Sequence, residues 1–320
     1  MSNMTPQDVV GREVRADFAL ADLTSGGLLP PEVQARFIDE VYDSTPIFAM
    51  AYRQRMNAPE LRIPRVGFSG QVLMPTPGDH TALADGDRVA PTTYQVVLNA
   101  KEYVGQINLP YTVLEDNVEK EAFQTHLMAH IAKQSGIDLA RAAYHGDTTL
   151  ANTTQSNRLL RQQDGWFKLA SNHVYDAAGK NIGEQQLAAW LKTMPDKYIA
   201  NDVGDYAMFL QRDVALDWRS QVASRMTIEG DRALIQSAVP AYAGVPVVKD
   251  NIIQKSNGLT QGLFCDPRNL IVGIYRQVTM EVFRNTKTRT IEVTFSIRCA
   301  FNRFQPDAIV RMDNIAPLAT

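Results

Sequence analysis

Two hydrophobic periods divide the chain. Between Tyr111 and Asp147 the apolar residues recur at steps of three or four, the period of a helix. Val118, Ala122, Thr125, Ala129, Ala132, Gly136, Ala140 and Ala143 make one stripe of mostly small residues. Phe123, Leu127 and Ile131 make a bulkier stripe on roughly the opposite side. The spacing predicts a single helix of roughly 28 residues, about 40 Å long. Asp116 as N-cap with Glu119 three positions on forms a capping box, and Glu121 adds negative charge near the positive end of the dipole. Arg141 in the last turn and Gly146 just beyond it supply the stop. Few positions are left for charge, so the helix is expected to be covered on two sides. Gly136 costs about 1 kcal/mol against Ala inside a helix, which argues for close backbone approach there.

The second period is two, and it dominates the C-terminal part. Val278, Met280 and Val282 alternate with polar residues, RNTKTR follows as a turn, and Ile291, Val293, Phe295 and Ile297 alternate with Glu292, Thr294, Ser296 and Arg298. This is a half-buried antiparallel pair whose apolar face is free to cover the long helix. A final strand is expected at AIVRM after Pro306.

The remaining segments are read from punctuation. Residues 1–30 are weakly patterned and end in SGGLLPPE, so they read as an extended arm. A short helix follows Pro31 on Val33, Phe37, Ile38 and Val41, closed by Ser44, Thr45 and Pro46. From Leu61 to Leu109 two strand-like arms flank a tip rich in Pro, Gly and Asp. Such a hairpin has too few large apolar residues for a core of its own and needs a partner surface. After an irregular stretch with an Asp164–Gly165 turn, helices are expected over Glu184–Met194 and Asp213–Val222. Strands are expected at Tyr206–Leu210, where YAGVPVV from Tyr242 turns into one, and at Asn269–Tyr275.

Composition narrows the function classes. The 320 residues suffice for one or two cores, and a net charge of −3 argues against a dedicated nucleic-acid binder. No apolar run reaches the roughly 20 residues that span a bilayer, and the N-terminal residues predict no secretory signal. Cys265 and Cys299 read as reduced, buried thiols.

The chain carries few candidates for chemistry. His126 and His130 stand four apart, a spacing that can hold zinc, yet Leu127 occupies the place of the Glu in an H-E-x-x-H motif. They are read as ordinary helix histidines. Asp147 beside His145 has no nucleophile motif with it, and Glu115–Asp116 is explained as helix-start chemistry. No nucleophile elbow, phosphate-cradling loop or dinucleotide fingerprint occurs. No catalytic, cofactor-binding or metal-ligating residue is assigned.

The order of parts resembles the major capsid protein of tailed bacteriophages, with the Hong Kong 97-type fold. GGLLPPEVQARFIDEV is similar to the segment after the N-arm of that family, and ALADGDRVAPTTYQVVLNAKEYVGQINLPYTVLEDN to the returning limb of its E-loop and the start of its spine helix. Asp138 followed by His145, Gly146 and Asp147 resembles the end of that helix. LKTMPDKY, AGVPVV and CDPRNLIVGIYRQVTMEVF resemble its A-domain and the return to its P-domain. The resemblance implies an α+β chain with an N-arm over 1–30, then an N-terminal helix and the start of the P-domain over 31–60. An E-loop hairpin follows over 61–100, a P-domain with spine helix and antiparallel sheet over 101–174, an inserted A-domain over 175–275, and P-domain return strands over 276–320.

It also implies a non-enzymatic virion subunit, assembled in the bacterial host cytoplasm into pentamers and hexamers of an icosahedral head. Double-stranded DNA is held inside without sequence-specific binding. A portal and a separate scaffolding protein are implied partners, the arm being too short to be a fused scaffold, together with an external decoration protein; no cofactor and no membrane are. Some members of the family join subunits through an isopeptide bond from an E-loop lysine; here the first lysine is Lys101, so no covalent stitch is expected. An encapsulin-type nanocompartment shell, a cytosolic α/β enzyme and a tail or decoration component are the alternatives.

Overall fold

The structure is a computed structural model that describes residues 45–68, 72, 73, 75, 88–111, 121–199, 205–225 and 241–318. The N-arm, the helix expected over 31–44, most of the hairpin tip, and the capping box at Asp116 and Glu119 lie outside the described residues.

Thr45 is extended (φ −135°, ψ 137°), and Pro46 starts helix α1, Pro46–Met50. The sequence reading ended a helix at Pro46. The structure begins one there, because proline's missing N–H costs nothing in a first turn. Strand β1 (Tyr52–Arg55) leads to β2 (Glu60–Phe68), β3 (Pro91–Asn99) and β4 (Lys101–Pro110). The long helix α2 is described from Glu121 to His145. Two short helices, α3 (Gln155–Leu160) and α4 (Trp166–Leu169), precede β5 (Val174–Asp176), α5 (Glu184–Thr193), α6 (Asp196–Ile199), β6 (Ala207–Gln211) and α7 (Arg212–Ala223). Strands β7 (Val247–Asp250), β8 (Thr260–Cys265), β9 (Leu270–Asn285), β10 (Thr290–Arg303) and β11 (Ile309–Ile315) complete the order.

The strands form three sheets, ordered β1-β9-β10-β4, β5-β11-β8-β6-β7 and β2-β3. In the first, the alternating residues of β10 do what their period predicts. Ile291, Val293, Ile297 and Cys299 are buried and pack with Ile131, Ala132, Leu139, Ala140, Ala143 and Tyr144 of α2. Ala132, Ala140 and Ala143 are fully buried and Gly136 is buried too, so the small stripe is the inward one. The opposite face is not covered on a single chain: His130, Lys133 and Gln134 are exposed. This corrects the expectation of a helix covered on two sides. The side chains of Phe123 and Leu127 lie outside the described residues.

The five-stranded sheet is buried on both faces at its centre. Phe209, Leu263 and Ile309 join the core that holds α2, while Met208, Leu210, Phe264 and Val310 face a second core with Trp190 of α5 and Trp218 of α7. A strand covered on both faces shows no period-two signal. That is why β8, the middle strand of this sheet, escapes the sequence pattern. Strand β9 runs unbroken through Tyr275 and Arg276, and the last strand, β11, pairs with β8 and β5.

Candidate assembly surfaces

The return limb of the hairpin looks like one strand in sequence but divides at Ala100. β3 pairs only with β2, from Glu60 opposite Asn99 to Phe68 opposite Pro91, while β4 pairs with β10, from Lys101 opposite Cys299 to Pro110 opposite Thr290. The result is a two-stranded ribbon anchored at its foot. There Val96 and Leu98 are buried in a small cluster with Met56, Ile271 and Ala300. Farther out Arg65 lies over the Phe304 ring at 5.5 Å, but Val66 is 63% exposed and Tyr94 is exposed too, as is Val97 between the two buried positions of the foot. Among the described residues neither ribbon edge pairs with a further strand, and the Val97 carbonyl accepts instead from Asn302 Nδ2 at 2.7 Å. Isolated hairpins of this kind are marginal in water, so the geometry calls for a contact outside the subunit.

The four-stranded sheet offers a second surface on the side away from α2. Glu102 accepts a hydrogen bond from Arg298 Nη2 at 2.9 Å and one from Arg276 Nη2 at 2.6 Å. Arg276 also donates to Ser296 Oγ at 2.6 Å, and Ser296 shares a hydrogen bond with Thr279 at 2.8 Å. The Arg298 hydrogen bond is the largest influence holding the Glu102 carboxyl below the usual range, with Arg276 adding to it. By strand alternation Val104 and Phe283 stand on this same face, each 63% exposed. A polar network flanked by two bare apolar side chains is the composition of a contact rim.

The residues weighed for chemistry take structural roles. His145 Nε2 accepts the backbone N–H of Gln254 at 3.1 Å, and burial lowers the imidazole to about 4, so the ring is neutral at ordinary pH. Asp147 accepts from Lys168 Nζ at 2.6 Å, from Thr149 Oγ1 at 2.6 Å and from the Thr149 N–H at 2.8 Å; the Lys168 contact leads in lowering it to about 2. Lys168 also pairs with Asp164 at 2.8 Å. Between these ionic contacts the Gly165 N–H donates to the Gly146 carbonyl at 2.8 Å. The motif at the end of α2 is thus a clasp that fixes α4 beneath the helix terminus, where Tyr144 stacks on Phe167 at 5.4 Å and meets Trp166 edge-on at 5.8 Å.

His130 is exposed, the side chain of His126 lies outside the described residues, and no cluster of three metal-ligating side chains occurs among the described residues. Glu115 lies outside the described residues. Cys265 and Cys299 are buried free thiols, both pushed up by burial. Among the described residues no helix is long and apolar enough to cross a membrane.

Known structures share this arrangement. A chain of the satellite phage P4 procapsid including the size determination (Sid) protein aligns with a TM-score of 0.67 over 92% of this chain and 94% of that one, at 13% identity. The fold is the Hong Kong 97-type capsid fold. The capsid of a native GTA particle matches with a TM-score of 0.59 at 15% identity, covering 91% of this chain and 92% of that one. Mycobacterium phage Cain matches at 0.57 and 13% identity, over 86% and 90%. In sequence, the putative prophage capsid protein YqbE of Bacillus subtilis (strain 168) is 27% identical over 317 residues, 97% of this chain and 98% of that protein. No family model matches the chain. The resemblance to tailed-phage major capsid proteins holds on both counts.

Local sequence signals gave no hint of the Glu102, Arg276 and Arg298 network or of the two-glycine clasp. Their members lie on different strands or across an irregular segment, and only the hairpin register brings Arg276 opposite Arg298.

Proposed function

We infer that this chain is a phage major capsid protein, a structural subunit that assembles with copies of itself into a shell and is a component of the virion. The observation that carries this reading is the similarity to the prophage capsid protein YqbE across nearly the whole of both chains, on a capsid fold. The two-stranded ribbon agrees with it, because its exposed Val66 and Tyr94 leave apolar surface for a neighbour to cover.

In finer detail, the shell is an icosahedral head of pentamers and hexamers enclosing double-stranded DNA, formed in the host cytoplasm with a separate scaffold and a portal, and open to an external decoration protein. The subunit divides into the N-arm (1–30), a leading helix (31–60), the E-loop ribbon (61–100), the spine-helix region (101–174), the inserted domain (175–275) and the return strands (276–320). The final strand crosses back into the sheet of the inserted domain. The role is structural and needs no catalytic residue. Expression of the chain with its head-gene neighbours, followed by sedimentation, tests this. Particles of hundreds of subunits support it, and a chain that stays a monomer or small oligomer under every assembly condition contradicts it.

A further inference from the structure

One cavity of 580 Å³ lies between the outer part of α2, the first described turn at Thr45, the start of α7 and the segment after β7. Its lining brings together Lys133 and Arg141 of α2, Arg212 of α7 and Lys249 of β7, four cations from three elements far apart in sequence. Among the described residues the single carboxylate of the lining, Asp250, is spoken for. Its Oδ2 accepts from Tyr144 Oη at 3.0 Å and its Oδ1 from the Ile252 N–H at 2.9 Å. Among the described residues Lys133, Arg212 and Lys249 have no ion-pair partner, and Asp213 beside Arg212 is paired with Lys255. With the Gln254 amide oxygen turned to it, Arg141 donates through Nε and Nη2 at 2.8 and 2.7 Å, which fixes its fork at the cavity wall. Thr45, 2% exposed, also lines the cavity, and its Oγ1 has no hydrogen-bond partner.

Four like charges held around one space repel each other, and folding gives no reason to collect them. An anion in that space removes the repulsion and supplies the acceptors that Thr45 and the lysines lack. The volume is that of a small-ligand pocket, about 300–1,000 Å³, and exceeds what a single ion fills. Guanidinium and ammonium groups set around a common space match a chain of phosphates, whose charge is spread over several oxygens. We propose that this cavity is a binding site for a ligand carrying several phosphates, a role separate from the ribbon and sheet contacts of the shell.

The probe is inorganic triphosphate, titrated calorimetrically into the purified full chain at constant ionic strength. Saturable binding is expected. The Lys133→Ala, Lys249→Ala double variant is expected to weaken it at least about tenfold, since each removes a charge-assisted contact. Lys287→Ala, an exposed change in the β9–β10 turn, leaves it unaltered. All three lysines are exposed, so the variants fold, and an unchanged thermal midpoint checks this. Competition by a short DNA duplex identifies the nucleic-acid backbone as the source of the phosphates; failure to compete identifies a free polyphosphate or nucleotide. Absence of saturable binding, binding indifferent to the double variant, or citrate binding as tightly as triphosphate overturns the proposal.

Discussion

Gly165→Ala is the most informative single change to the subunit's interior. A Cβ on Gly165 would meet Gly146 N at 2.5 Å, the Tyr144 carbonyl oxygen at 2.7 Å and the Ala143 carbonyl oxygen at 2.8 Å. A relaxed contact needs about 3.5 Å or more, so the two segments must part by roughly 1 Å. All three neighbours are backbone atoms of α2 or the residue following it, and no rotamer change can move them aside. Overpacking of this kind costs about 1–3 kcal/mol. Parting the segments also loosens the Gly165 N–H to Gly146 carbonyl bond of 2.8 Å, worth a further 0.5–1.5 kcal/mol or about that. The expected destabilisation is about 2–4 kcal/mol, read as a lower urea midpoint at unchanged slope on the unassembled chain.

Gly67→Ala is the control. Its Cβ would meet only the exposed Tyr94 side chain, at 3.2 Å, and the change should stay within about 0.5 kcal/mol of the parent. If Gly165→Ala proved as stable as Gly67→Ala, the clasp would not be a close-packed joint and the reasoning from it would fail.

Three further outcomes are expected. Acid should weaken the fold through His145: burial lowers its folded pKa to about 4 from the ordinary 6.5, so its stabilising contribution is complete above 6.5 and is lost as pH falls towards 4. Between pH 7 and 5 the parent should lose about 2 kcal/mol more than His145→Gln, measured by urea unfolding; parallel pH profiles would contradict this. Deleting residues 75–87 should leave a chain with parent-like circular dichroism that forms few shells, because the ribbon's partners lie on another subunit; normal shells, or a chain that cannot fold, would count against it. Mature particles boiled in detergent should run as one band near 35.6 kDa. No lysine precedes Lys101 at the ribbon's foot, and arginine is a poor nucleophile; a reductant-resistant ladder would refute it.

How much of this was legible in the sequence depended on how many faces each element buries. The long helix and the β9–β10 pair were legible because each meets the core on one side, which leaves a period to read. Residues Val293 and Glu292 announce their faces by alternating; Met208 and Phe209 do not, since both are buried on opposite sides of β6. Strand β8 failed for that reason and for its central Gly262, whose missing side chain makes room for Trp190 and Leu210. The division of the hairpin's return limb at Ala100 was hidden because β3 and β4 share one pattern and differ only in partner. Gly146 read as a helix stop, which it is, and Gly165 as part of a turn, whereas it is the extended N-cap of α4. Their closeness is a tertiary fact that neither position carries alone. The cations of the cavity carry no joint signal in the sequence, because Lys133, Arg212 and Lys249 come from separate elements.

Imaging assembled particles by cryo-electron microscopy tests the central claim most directly. The account predicts closed shells of this chain in pentameric and hexameric rings, with the β2–β3 ribbon of each subunit lying over a neighbouring subunit. Shells in which the ribbon folds back onto its own chain, or preparations with no shell under conditions that keep the chain folded, would contradict it.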